Sequence, residues 1–221
     1  SAVRPNMEGK THVLGGALAG IACVAMFSPE SSGAMLTIGA GMFGSLLPDL
    51  DHPGSILGRE APLISSGITQ FLGHRGPMHS ILAAIVVWLG AWGLATHYLG
   101  PTSLLTSWLV ALVLGYLSHL ALDALNPSGV PILWPLKKHA RIPLVTTGSA
   151  IEKLVVFPVL LCLCVAMGVL VLSPMALGFP ALGFPDIGEG GAAGIVVTMF
   201  KGWMKFMEFL GEVIMNVIFK T

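Results

Sequence analysis

Charge is what this sequence has least of. Its 221 residues carry 11 basic and 11 acidic side chains, 10% of the chain, and they sum to zero. Such a balance provides no basic surface for the phosphate contacts on which nucleic-acid binding depends, so nucleic acid is excluded as a partner. Cysteine is scarce as well, and Cys23, Cys162 and Cys164 all lie inside apolar runs. They read as small buried hydrophobes, with no basis for a disulfide framework or a thiolate metal cage. What is abundant is apolar. With 54% hydrophobic residues and a mean hydropathy of +0.84, the composition is that of a polytopic membrane protein.

Residues 1–6 precede Met7-Glu8-Gly9-Lys10 and read as an expression scar ahead of a native start. The first apolar run has no cleavage site and is read as retained. Apolar runs cover 13–27, 34–47, 81–98, 104–125 and 154–172. The first two are short for a hydrocarbon core of about 30 Å at about 1.5 Å per residue. They are read either as short crossing helices packed through small residues or as a re-entrant hairpin. Polar loops separate the runs at 48–79, where helical periodicity is weak, and at 126–149. A Gly/Pro linker follows at 173–194, with Leu-Gly-Phe-Pro at 177–180 and again at 182–185. In the last segment Thr198, Lys201, Lys205, Glu208, Glu212 and Asn216 recur at three- and four-residue steps, the stripe of an amphipathic helix. The expected fold is therefore all-α: a polytopic helical membrane domain over 7–172 with about five membrane segments, plus a carboxy-terminal amphipathic helix over 195–221. That helix is read as lying on the interface or forming a sixth span, either flanking lipid entry or mediating a homo-oligomer.

Counting crossings brings the polar groups to one side. Arg4, Lys10, Arg59, Arg75, Lys137, Lys138, Arg141 and Lys153 all fall on one face, whereas the opposite connections hold Glu30, Asp186 and Glu189. By the positive-inside tendency the first face is cytoplasmic. His12, Asp49, Asp51, His52, His74, His79, Asp123 and Glu152 share that boundary, with His119 just below it. His97 sits at the far end of its span and reads as an interfacial residue.

The chemistry follows from residue types and spacing. Pro48-Asp49-Leu50-Asp51-His52 puts two carboxylates and an imidazole together directly after an apolar run. His119 and Asp123, at i and i+4, project from one face of the fourth span. His74 and His79 flank Arg75-Gly76-Pro77, where Gly76 permits close backbone approach and Pro77 restricts the turn. His12, Asp49, Asp51, His52, His74, His79, His119 and Asp123 are the candidate ligands for one or two divalent ions. Zn is the first choice because imidazoles dominate, with Mn or Mg as alternatives. Glu152 is a candidate ligand or general base, Asp49 a second base, and Arg75 a phosphate-holding residue. Without a metal, the same groups would be an Asp–His pair locking two helices, an Asp-capped turn and interfacial histidines and cations.

Four motifs then stand together: Thr11-His12, Leu47-Pro48-Asp49-Leu50-Asp51-His52, His74-Arg75-Gly76-Pro77-Met78-His79-Ser80, and Ser118-His119-Leu120-Ala121-Leu122-Asp123. In this combination the chain resembles the YdjM-type family of membrane-bound metal-dependent hydrolases, from about residue 7 to residue 172. Thr often stands in that family where Met78 is here, a difference that spares the ligands. The His-x-x-x-Asp element is also distantly similar to one in zinc-dependent phospholipases C. The resemblance implies a metal-dependent hydrolase, multi-pass in a bacterial inner membrane with its site facing the cytoplasm. The site's position at the bilayer surface, with nearby cations, points to a phosphoester or pyrophosphate bond of a membrane lipid. The competing expectation is a non-catalytic membrane interaction or regulatory protein with a structural metal. A transporter is weaker, because the ionisable residues stay at one surface.

Overall fold

The computed structural model describes residues 9–27, 31–72, 76–100, 102–136, 139–146 and 148–176. The expectations for residues 1–6, for most of the Gly/Pro linker and for the amphipathic helix at 195–221 lie outside these. The described chain is helical, with α1 (Gly9–Phe27), α2 (Ser31–Gly44), α3 (Ile56–Glu60), α4 (Pro62–Leu72), α5 (Ile81–Leu99), α6 (Ser103–Ala124) and α7 (Phe157–Ala176). Tight 3-10 turns occupy Pro48–Asp51 and Pro77–His79, and a π-helical turn, Glu152–Val156, leads into α7. Polar side chains start the long helices: the Ser80 hydroxyl accepts from Ala83 N–H ahead of α5, and Thr102 accepts from Leu105 N–H ahead of α6.

Among the described residues, four helices are long and apolar enough to cross a membrane: Gly9–Phe27, Ile81–Leu99, Leu104–Ala124 and Glu152–Leu172. The fifth apolar run is shorter, Gly33–Gly44. At about 1.5 Å per residue it falls well short of the hydrocarbon thickness, so α2 reaches the site's end of the bundle only by packing deep against α1 and α6.

That packing rests on glycine. Gly16 of α1, Gly41 of α2 and Gly115 of α6 meet at one point. A Cβ on Gly16 would lie 2.5 Å from the Gly41 carbonyl oxygen, and one on Gly115 would strike the same oxygen. Small residues let helix backbones approach this closely where lipid offers no hydrophobic drive for association. A buried hydrogen bond between the Thr37 and Ser107 hydroxyls, 3.1 Å, adds a polar tie between α2 and α6. The peripheral α5 and α7 instead turn large apolar residues outward, among them Val86, Leu89, Val159 and Val165, as lipid-facing spans do.

The two polar loops are more ordered than their composition suggests. Residues 48–79 contain α3, α4 and both 3-10 turns. Ser55 caps α3 by accepting from Gly58 N–H, and Pro62 takes the first position of α4, where its missing N–H costs nothing. Residues 126–146 fold back over the end of α6. Ile142 N–H donates to the Ala124 carbonyl at 2.7 Å, and Leu144 and Val145 both donate to Leu125, satisfying carbonyls that the helix end leaves open. Ile81 N–H donates to the Ile132 carbonyl at 3.0 Å, so the same loop anchors the start of α5.

Candidate metal centre

The start of α1, the turn Pro48–Asp51, the turn Pro77–His79 and the last two turns of α6 converge at one end of the bundle. Each supplies a side chain that is buried there: His12, Asp49, His79, His119 and Asp123. Two donor groups result, His12/His119/Asp123 and Asp49/His79/His119, and they share His119. Asp49 Oδ1 lies 3.7 Å from His79 Nε2 and 3.8 Å from His119 Nε2. Asp123 Oδ2 lies 3.7 Å from His79 Nε2 and 3.5 Å from His119 Nε2, while its Oδ1 lies 3.4 Å from His12 Nε2.

These separations are too long for hydrogen bonds. They are close to the spacing of donors around a tetrahedral zinc ion, roughly 3.3–3.4 Å for bonds of about 2.0–2.1 Å. Among the described residues, His12 Nε2, His119 Nε2, Asp49 Oδ1 and both oxygens of Asp123 are buried and make no hydrogen bond. Buried polar groups are normally paired, and burying several acceptors around one point is costly unless a cation sits among them. The donor set therefore fits a divalent ion.

The cage is oriented from outside. His119 Nδ1 lies 2.7 Å from the Ser45 carbonyl oxygen, which can only accept, so that nitrogen carries the proton and Nε2 is left with its lone pair toward the cluster. Asp51 Oδ2 lies 3.6 Å from His79 Nδ1, the placement of a carboxylate behind a ligating imidazole. Ser55 Oγ donates to the Asp49 carbonyl at 2.7 Å and Thr69 Oγ1 to the Asp51 carbonyl at 2.5 Å. The Tyr116 hydroxyl donates to the Met78 carbonyl, and the His12 ring stacks on His119 with centroids 3.8 Å apart. Burial works against charge on His79, but the carboxylates of Asp49 and Asp51, with Asp123 behind them, raise its pKa to about 9. Burial likewise opposes ionisation of Asp49, yet His79, His119 and His12 together hold its pKa below the ordinary carboxylate value.

Of the eight ligands expected from sequence, five thus meet in the two groups and Asp51 stands behind His79. His52 belongs to neither group, and its Nδ1 accepts from Gly54 N–H at 3.0 Å. His74 and Arg75 lie outside the described residues, as do Lys137 and Lys138. Glu152 is buried but also belongs to neither group. Its carboxylate accepts from the Thr11 hydroxyl at 3.0 Å and from Gly148 N–H at 2.6 Å, joining the start of α7 to the residue before His12. Sequence reasoning missed Ser45, Ser55, Thr69 and Tyr116. Tyr116 alone left a trace, as one of only two tyrosines, mid-span and one turn before His119.

Comparison with known proteins bears on the family of the chain. The family model described as "YdjM inner membrane protein" matches residues 7–184. The inner membrane protein YdjM of Escherichia coli K12 is 40% identical over 118 residues, 50% of this chain and 56% of that protein, and the Shigella flexneri protein of the same name matches equally. The chain thus spans little more than half the length of these two relatives. YvsG of Bacillus subtilis 168 is 31% identical over 159 residues, 72% of this chain and 92% of that protein. No solved structure matches.

Proposed function

Because the chain belongs to the family of YdjM inner membrane proteins, we propose that it is a multi-pass inner-membrane hydrolase that uses a divalent metal held by His12, Asp49, His79, His119 and Asp123. One observation carries this reading: buried imidazole and carboxylate atoms from four separate chain segments converge on one point, most of them without hydrogen bonds. A single ion fits best. His119 is common to both donor groups, and with Nδ1 committed to Ser45 it has one lone pair to give. Zn suits a set rich in imidazole, with Mn or Mg as the alternatives.

The proposed reaction is hydrolysis of a phosphoester or pyrophosphate bond in a membrane lipid, at the cytoplasmic face. The metal would supply Lewis acidity toward a phosphoryl oxygen. The chain's own residues do the rest. A carboxylate not bound to the metal takes the proton of the attacking water; Glu152, one residue removed from the cluster through Thr11, fits that role when Asp49 is a ligand, and Asp49 fits it only if it is not. Cations hold the phosphate. Lys10 and Lys153 line a 180 Å³ hollow with Thr11, Glu152 and Phe157 beside the cluster, and Arg75 is assigned the same role from its position in sequence.

A second reading, a structural metal in a non-catalytic membrane protein, draws on the degree of burial. Asp49 is the most exposed of the five ligands at 6%, and closed shells are typical of structural sites. The test is one preparation with two measurements: metal content, and turnover against lipid phosphoesters, pyrophosphates, soluble phosphates and peptides. Turnover lost in His119→Ala with the fold retained supports the enzyme. Metal bound in stoichiometric amount, with no turnover on any of these, supports the structural role. Protein that is well folded and takes up no metal removes both.

A further inference from the structure

The site's end of the molecule is unusually apolar for a surface facing water. Helix α4 exposes Leu63 at 89% and Ile64 at 58%. The loop that covers the end of α6 exposes Leu136, Ile142 and Leu144, the last at 65%, together with Trp134. Soluble surfaces scatter such residues singly, whereas here they form two ridges, each joined to the same site.

Both ridges are tied to the metal cluster at its own level. Ile142 N–H bonds the Ala124 carbonyl and Leu144 N–H the Leu125 carbonyl, so these residues lie beside the last turn of α6, next to Asp123. Helix α4 is bonded through Thr69 to the carbonyl of Asp51, in the turn that also carries Asp49. Polar and basic residues accompany the ridges: Arg59 and Glu60 close α3, and Arg141 precedes Ile142. Apolar side chains with adjacent cations are the pattern of segments that lie in the headgroup region, where long basic side chains reach the phosphates.

We infer that α4 and the loop residues 130–136 and 139–146 form a collar embedded in the leaflet around the site. The occupant of the exposed ridges is thus the surrounding lipid, which places the metal cluster at or below the headgroups and makes the bilayer the side from which a sideways entrance would reach it. The sideways entrance rests on the metal-site reading above, whereas the embedding of the collar does not.

Spin labels placed singly at Leu63→Cys and Leu144→Cys, in a Cys162→Ala/Cys164→Ala background reconstituted in vesicles of phosphatidylglycerol and phosphatidylethanolamine, decide the matter. Glu60→Cys serves as the polar control. Collisions with oxygen should exceed those with a water-soluble nickel chelate at 63 and 144, and the order should reverse at 60. Ready access of the nickel chelate to 63 and 144 overturns the collar. So does immobilisation with protection from both reagents, because the cover is then protein, either residues 177–221 or a second copy. Metal content and turnover are measured on the same samples. A lipid-exposed collar without metal or turnover leaves the collar standing and removes the hydrolase. A water-exposed collar with lipid turnover does the reverse.

Discussion

At the residue scale, the cluster predicts a graded response to substitution. His119 links both donor groups and has no substitute, so His119→Ala should lower zinc affinity by more than about 100-fold, beyond the loss expected from an outer partner. Asp51 faces the far nitrogen of His79, so Asp51→Asn should cost about 10–100-fold and leave stoichiometry unchanged. His52→Ala should cost nothing measurable. Isothermal titration with zinc into metal-stripped protein distinguishes the three.

The same side chains set a pH dependence. The pKa of His79 is raised from 6.5 to about 9, so the metal-free site holds a proton throughout the neutral range. An incoming ion must displace that proton, and affinity should rise by about tenfold per pH unit between roughly pH 6.5 and 9, then level off. Stability of the metal-free protein runs the other way. The pairing of protonated His79 with its carboxylates is fully present below about pH 6.5 and is lost as pH rises through about 9. Titrations and melting curves at pH 6, 7 and 8 read both trends.

At the scale of elements, the bundle depends on glycine where α1, α2 and α6 touch. Gly41→Leu places a side chain against Gly16 and the Gly20 backbone, and should cost at least about 1–3 kcal/mol or prevent folding. Gly39→Leu, two residues earlier on the same helix, meets nothing within 4 Å and should be tolerated. Thermal unfolding in detergent compares the pair. Glu152 offers a second test at this scale. Glu152→Ala strands the Thr11 hydroxyl and Gly148 N–H and should destabilise by about 1–3 kcal/mol, loosening α7 from α1. Glu152→Gln keeps the acceptor for one of them, so a turnover loss in Gln without loss of stability would mark Glu152 as the base.

At the scale of the whole molecule, the alternating helices put residues 55 and 140 at the site's end and residue 102 at the other. Cysteine labelling should report the cytoplasm for Ser55→Cys and Ala140→Cys and the opposite side for Thr102→Cys. Labelling of 55 and 140 from opposite sides would contradict a shared boundary and the convergence of ligands that depends on it.

Much of this protein is written locally. Long apolar runs specify membrane helices because no other backbone arrangement of these segments satisfies its polar groups in lipid, and the sparse charge shows where the chain leaves the bilayer. The pairing of His119 with Asp123 is likewise local, since four residues make little more than one helical turn. The motifs around Asp49 and His79 declare their chemistry for the same reason, being short and set against apolar surroundings. Selection among candidates was not local. Asp49, Asp51 and His52 look equivalent in sequence, yet a 3-10 turn of four residues sends Asp49 into the cage, Asp51 behind His79 and His52 toward Gly54. Helix α4 is only three turns of small, polar and apolar residues, and its place against the site is fixed by Thr69 reaching the Asp51 carbonyl, eighteen residues away in sequence. The orienting carbonyl of Ser45 belongs to every residue's backbone and carries no sequence signature. Sequence determines which groups arrive at the site's end of the membrane. The close glycine packing of α1, α2 and α6 decides which of them meet, because that contact sets the His12 ring on His119 and the Ser45 carbonyl behind His119 Nδ1.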